Sequence, residues 1–168
     1  FISCAYDMLT NYVATARYRA FLPCPMVVRG PSGGYVRGGP FHSQNPEAAF
    51  LHTPGLKIVY PSTPSDAKGL IKSAIRDDDC VLFFEHKYLY RRMKEQMPPG
   101  DHVVPIGKAR VAREGKDLTI VTYAATVWKS LEAAEQLAAE DGLSVEVIDL
   151  RSLLPMDDEA IVRSVRKT

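Results

Sequence analysis

Apolar positions along this chain recur at two spacings, helical and strand-like, and the two alternate. Ile2, Ala5, Leu9, Tyr12, Val13 and Ala16 follow a helical period, so residues 1–16 are predicted as an amphipathic helix. Met26-Val27-Val28-Arg29 reads as a short buried strand, and a glycine-rich loop follows from Gly30 to Ser43. Pro46 to Leu51 is predicted as a short helix, with Asn45 as its cap and Pro46 at its first position. Leu56 to Tyr60 is a strand, and Thr63-Pro64-Ser65-Asp66 opens a helix that runs to about Arg76. Cys80 to Glu85 is a continuous apolar run of strand length, the pattern of a strand buried on both faces of a parallel sheet.

The pattern breaks from Met93 to Pro105. Met97-Pro98-Pro99-Gly100-Asp101 favours no regular element, and a domain boundary is expected there. Alternation then resumes. Leu118 to Tyr123 and Leu143 to Ile148 read as strands. Val127 to Ala139 reads as a helix with Trp128, Leu131, Ala134 and Leu137 along one side, and Asp157 to Arg166 as another after Pro155. Strands alternating with helices predict an α/β architecture with parallel sheets. The expected division is 1–95, a linker 96–104, and 105–168.

Composition narrows the function classes. Apolar residues at 46% and charged residues at 24% match a globular protein. A net charge of +1 leaves no electrostatic footprint for nucleic acid or an anionic membrane. No apolar run has the length of a bilayer span, and no signal-peptide pattern opens the chain. Cys4, Cys24 and Cys80 are odd in number and widely spaced, which argues against structural disulfides or zinc and fits a reducing compartment. They are expected as small buried apolar residues. The chain opens at Phe1 without methionine and ends within a helical pattern, so it is expected to be a fragment of a longer protein.

The densest chemistry lies in Gly38-Gly39-Pro40-Phe41-His42-Ser43-Gln44-Asn45-Pro46-Glu47-Ala48. Two glycines open backbone angles closed to other residues, and two prolines fix φ and remove amide donors. Such a segment is a shaped loop, and it sets an imidazole beside two hydrogen-bonding side chains. His42 is either a reacting group or a structural histidine bonded to a carbonyl. His86, at a strand end, could face a cleft, while His52 sits at a helix end and His102 in the linker. Gly30-Pro31-Ser32-Gly33-Gly34 lacks the Gly-Lys-Ser/Thr of a P-loop and the helix that follows GxGxxG. Arg29 is a plausible anchor for loop carbonyls. Arg91, Arg92 and Lys94 form either a partner surface or a solvated face.

Asp77-Asp78-Asp79 is an anomaly, because acids at a helix C-terminus face the negative end of the dipole. Arg76 or Lys72 could compensate them. A hard cation held by carboxylates and helix-end carbonyls is the alternative. Phe1, on residues alone, reads as a core aromatic.

The ordered set Arg29-Gly30-Pro31, His42-Ser43-Gln44, Pro46-Glu47-Ala48, Pro54-Gly55-Leu56-Lys57, Ala67-Lys68-Gly69-Leu70, Phe83-Phe84-Glu85, Val147-Ile148-Asp149-Leu150-Arg151 and Leu154-Pro155 resembles the β subunit of thiamin-diphosphate-dependent 2-oxo acid dehydrogenases. The resemblance covers essentially the whole chain. It implies a pyrimidine-binding, transketolase-like domain followed by the start of a transketolase C-terminal α/β domain. It implies a heterotetramer of two α and two β chains, with thiamin diphosphate at the α/β interface. Magnesium would be held by the α subunit, and the acyl group would pass to the lipoyl arm of a dihydrolipoyl acyltransferase core.

By the same resemblance His42 is the active-site histidine and Phe1 packs on the aminopyrimidine, which replaces the core reading of that residue. Met26, Ala74, Ile75, Asp77 and Asp79 match ligands of a structural potassium ion, mostly through carbonyls, with Asp79 where many relatives carry Asn. The glutamate that activates the aminopyrimidine would lie upstream of Phe1, so this stretch alone is expected to be inactive. Arg19 to Pro25 looks shorter than in some relatives. Phe84-Glu85-His86-Lys87-Tyr88-Leu89-Tyr90-Arg91 resembles branched-chain members more than pyruvate members, with pyruvate or acetoin as the alternative. The implied location is the bacterial cytoplasm or the mitochondrial matrix. Two other readings stay open. One is a single-chain transketolase or deoxyxylulose-phosphate synthase. The other is a non-catalytic α/β module, for which the expected strand-end Asp and Lys pair is not evident.

Overall fold

The structure is a computed structural model that describes residues 2–168, so Phe1 lies outside the described residues. The predicted first helix is present but irregular. It runs as a 3₁₀ turn at Ile2–Ala5, a π-helical stretch at Met8–Val13, and a short α-helix, α1, at Ala16–Ala20. The widening has a packing cause. The Ala14 N–H donates to the Leu9 carbonyl at 3.0 Å, five residues back. That places Leu9 and Ala14, both buried, on one side against the Pro54-Gly55 turn. At Gly55, with φ +97°, a Cβ would lie 2.9 Å from the Ala14 carbonyl carbon, so only glycine allows this approach.

Strand β1 is Val27–Ser32, followed by helix α2 at Glu47–Phe50, strand β2 at Lys57–Val59, helix α3 at Pro64–Ile75 and strand β3 at Val81–His86. Then come β4 at Arg110–Arg113, β5 at Leu118–Thr122, helix α4 at Ala125–Glu140, β6 at Val145–Asp149, β7 at Ser152–Leu154 and helix α5 at Asp158–Lys167. The start signals read from sequence hold at α3, where Thr63 Oγ1 accepts the Asp66 N–H at 3.1 Å and Pro64 takes the first position. At α2 the cap position is Pro46 rather than Asn45.

The first sheet has the order β1-β3-β2-β7. Its first three strands are parallel, with Val27 opposite Val81 and Lys57 opposite Val81 on the other side. Central β3 therefore buries Val81, Leu82, Phe83 and Phe84 on both faces, as its unbroken apolar run requires. The second sheet has the order β4-β6-β5. Parallel pairing forms the heart of each sheet, but an edge strand of each, β7 and β4, pairs antiparallel. Neither edge strand was legible in the sequence, because one has three residues and the other alternates around two arginines. Among the described residues no helix is long and apolar enough to cross a membrane.

Strand β7 lies downstream of the proline-rich break yet completes the first sheet, and a polar joint accompanies it. Arg151 Nη1 donates to Asp66 Oδ1 at 3.0 Å, and its Nη2 donates to the Lys108 and Ala109 carbonyls. Arg110 Nη2 donates to Asp149 Oδ2 at 3.1 Å, and Ser62 Oγ donates to the same oxygen. Trp128 Nε1 reaches the Ser62 carbonyl at 2.9 Å. Burial raises the pKa of the wholly enclosed Asp149, and the Ser62 hydroxyl and Arg110 oppose that rise.

Candidate active site at the His42 loop

The loop that carries His42 is built from backbone constraints. It leaves β1 after Ser32, and the Gly33 N–H donates to the Gln44 carbonyl at 2.9 Å, closing its neck. Gly33 has φ +81°, and the His86 ring occupies the space a Cβ would need, with Cε1 2.5 Å from that point. Tyr35 and Arg37 hold φ of 66° and 59°, values uncommon for side-chain-bearing residues. Gly39, at φ +71°, turns the chain into a single 3₁₀ turn at Pro40–His42. Ser43 Oγ fastens that turn by donating to the Gly39 carbonyl at 2.7 Å, and Lys87 Nζ donates to the His42 carbonyl.

His42 is exposed and lines a cavity of 490 Å³. Ile2, Ala5, Val28, Pro31 and Phe84 give that cavity a largely apolar wall, with Lys87 at its edge. A concave, largely apolar space lined also by an imidazole, an ammonium and the Arg29 guanidinium is the form of a small-molecule site. The imidazole can bond a carboxylate or enolate oxygen and move a proton, and the ammonium favours anions.

The flanking groups are arranged differently from the sequence expectation. Among the described residues Arg29 bonds no loop carbonyl. Its guanidinium grips Glu85 with contacts of 2.8–3.0 Å, and Tyr90 Oη donates to the same carboxylate at 2.6 Å. His86 does face a cleft, a second cavity of 280 Å³ that Ser62, Thr63 and Tyr90 also line. Its Nδ1 accepts the Tyr88 N–H at 3.3 Å, and burial lowers its pKa, so the ring is neutral at pH 7. Arg92 stacks over the Tyr88 ring at 4.3 Å. Of the three free cysteines only Cys80 is buried, its thiol pushed up to about 12 by burial, while Cys4 is exposed.

The acidic turn after α3 is compensated, but not by the residues nearest in sequence. Lys57 Nζ donates to both oxygens of Asp77 at 2.7 Å and lies 3.6 Å from Asp79, and Arg17 Nε pairs with Asp79 at 2.5 Å. Lys72 and Arg76 instead pair with Asp101 at 3.0 Å. Lys57 and Arg17 were missed because both are remote in the chain and arrive through β2 and α1. Burial would raise the Asp79 pKa, but Arg17 and Lys57 outweigh it and hold the carboxyl below its ordinary value.

Of the positions matched to a potassium site, Met26 immediately precedes β1, while Ala74, Ile75, Asp77 and Asp79 lie at or just beyond the end of α3. The Val81 N–H donates to the Met26 carbonyl and the Asp77 N–H to the Ala74 carbonyl, while Ile75 ends α3 and Asp79 N–H donates to Asp77 Oδ1. Among the described residues no three His, Cys, Asp or Glu side chains cluster as metal ligands.

The order of strands, the shaped loop after β1 and the open cavity beside it define an α/β protein with a candidate small-molecule site at the end of a parallel strand. The sequence matches the description "Transketolase, pyrimidine binding domain" over residues 1–93 and "Transketolase, C-terminal domain" over 107–168. The chain belongs to the transketolase pyrimidine-binding family. It is 52% identical over its full length to the 2-oxoisovalerate dehydrogenase subunit beta of Bacillus subtilis (strain 168), of which it covers 52%. It is 46% identical over 98% of its length to the mitochondrial subunit of the same name from Dictyostelium discoideum, covering 45% of that chain. It is 45% identical over its full length to the pyruvate dehydrogenase E1 component subunit beta of Staphylococcus aureus (strain COL), covering 52%. The chain thus spans about half the length of the curated relatives it matches. Among solved structures, a split-gene transketolase described as an inactive beta4 tetramer superposes with a TM-score of 0.69 at 25% identity, over 99% of this chain and 59% of that one.

Proposed function

We propose that this chain is part of the β subunit of a 2-oxo acid dehydrogenase, and that His42 is its reacting imidazole. One observation carries the reading: an exposed histidine, held on a strained glycine loop, at the mouth of a 490 Å³ apolar cavity. The full-length similarity to three β subunits supports it. The cavity fits the aminopyrimidine of thiamin diphosphate, since a flat aromatic ring suits walls of Ile2, Val28 and Phe84. When bound, the cofactor supplies the carbon nucleophile for the 2-oxo group and the electron sink for loss of carbon dioxide. Phe1 would stack on that ring, and an upstream glutamate and an α subunit holding magnesium and the diphosphate would complete the site.

His42 would hydrogen-bond the substrate carboxylate or the oxygen derived from its 2-oxo group, and shuttle a proton there. The apolar wall excludes water and strengthens that contact. A dihydrolipoyl acyltransferase core would accept the acyl group, in a bacterial cytoplasm or mitochondrial matrix. The division into residues 1–95, a linker 96–104 and residues 105–168 belongs to the same proposal, as does a potassium ion held by Met26, Ala74, Ile75, Asp77 and Asp79.

The proposed substrate class is branched-chain 2-oxo acids, supported by residues 84–91 and by the higher identity to the 2-oxoisovalerate enzymes. The test is steady-state decarboxylation by the full-length chain reconstituted with its α partner. A kcat/KM at least tenfold higher for 3-methyl-2-oxobutanoate than for pyruvate is expected. The reverse ranking would move the chain to the pyruvate branch, and no thiamin-dependent turnover of either would refute the enzyme reading.

A further inference from the structure

Next to the His42 loop lies a group of buried and half-buried polar side chains that the proposed chemistry does not use. Tyr60, at the end of β2, is 1% exposed, and its hydroxyl shares a short hydrogen bond with Ser32 Oγ, itself 1% exposed. Tyr123, just after β5, donates from Oη to Glu47 Oε1 at 3.2 Å. Glu47 is 4% exposed, and among the described residues its Oε2 has no hydrogen-bond partner. The two tyrosine rings lie 5.5 Å apart, so the two pairs form one cluster. Burial raises the pKa of both phenols, which keeps them protonated and able to donate at neutral pH.

The connection to the loop is direct. Ser32 is the residue before Gly33, whose N–H donates to Gln44 at the loop neck. Glu47 lies three residues beyond Gln44, in the first turn of α2. The loop therefore enters through a residue bonded to Tyr60 and leaves through a residue bonded to Tyr123. Tyr60 comes from the first sheet and Tyr123 from the second. A buried carboxylate with one oxygen unpaired is costly, and packing alone does not call for it.

We propose that Tyr60–Ser32 and Tyr123–Glu47 are positioning residues that clamp the two ends of the His42 loop and make its geometry depend on the docked second sheet. The inference rests on the reading of His42 as the reacting group. A loop held at both ends keeps the imidazole within the narrow range that proton transfer requires, and a displacement near 1 Å lowers rate by up to about a hundredfold.

The test uses the full-length chain reconstituted with its α partner. Tyr123→Phe removes the donor but keeps the ring, and is expected to lower kcat about tenfold with less than threefold change in KM. Glu47→Gln keeps an acceptor for Tyr123 and is expected to stay within threefold of wild type, whereas Glu47→Leu falls with Tyr123→Phe. A structural role alone would not produce this rescue. The Tyr123→Phe and Glu47→Leu double variant should be no slower than the slower single one, since both break one bond. Amide hydrogen exchange over residues 33–46 reads the clamp without turnover and should quicken at least threefold in Tyr123→Phe, with exchange elsewhere unchanged. Unaltered loop exchange in the folded variant overturns the clamp. Faster loop exchange together with a fully active His42→Ala enzyme would uphold the clamp and refute the role of His42.

Discussion

The joint between the two sheets and the His42 loop are both polar, yet their hydrogen bonds serve different groups. In the joint, each charge is consumed by a partner inside the chain. Arg151 meets Asp66 and two carbonyls, and Arg110 meets Asp149. The acidic turn repeats the pattern, with Lys57 and Arg17 on Asp77 and Asp79. In the loop, hydrogen bonds fasten the backbone, through Gly33, Ser43 and Lys87, while the His42 side chain is presented at a cavity. Charged side chains pair with one another in the joint, whereas in the loop the hydrogen bonds run to the backbone and the imidazole lines a cavity. Charge density alone is a poor guide to a site: the triple aspartate is conspicuous in the sequence, and Lys57 and Arg17 compensate its Asp77 and Asp79.

The sharpest way to break this contrast is to open the joint. Arg151 and Asp66 are both nearly enclosed, so Arg151→Met removes the nearer guanidinium from a buried carboxylate, leaving Arg110 Nε at 3.5 Å, and strips the Lys108 and Ala109 carbonyls of their donor. It is expected to cost about 3–5 kcal/mol in urea unfolding of the full-length chain. A loss below 1 kcal/mol would mean that the joint is solvated rather than closed.

Lys57→Met tests the acidic turn. Lys57 and Asp77 are partly exposed, so the expected loss is smaller, about 1–3 kcal/mol. If a monovalent cation also occupies this corner, the variant's melting temperature rises more in potassium than in a large organic cation at equal ionic strength. Equal melting temperatures in the two salts would count against potassium.

The smallest effect is a pH dependence. His86 has its pKa lowered by burial from the ordinary 6.5. A depressed folded-state value means the unfolded chain takes up protons first, so the His86 contribution is intact above pH 6.5 and is lost as pH falls through the folded value. His86→Gln should flatten the decline in stability below that pH. An unchanged decline would assign it to other groups.

Much of the fold was legible because period and length agree with burial. The apolar run from Cys80 became β3, enclosed from Val81 to Phe84, and Thr63-Pro64 capped α3 as read. Strand β7 was not legible, since three residues carry no period and its place is set by the polar joint. The π-helical widening at Met8–Val13 was equally hidden, because it depends on the remote Gly55. At the site, His42 stood out through its glycines and prolines, which act locally. Tyr60 and Tyr123 did not, since each sits at the end of an ordinary apolar strand and its partner lies 28 or 76 residues away.

The most direct measurement is the turnover of 2-oxo acid by the full-length chain and its α partner with His42 replaced by alanine, alongside its melting curve. An imidazole that moves a proton at the reacting centre predicts a fall in kcat of about 10²–10⁴ with the melting temperature nearly unchanged. Wild-type turnover, or a loss explained wholly by unfolding, would contradict it.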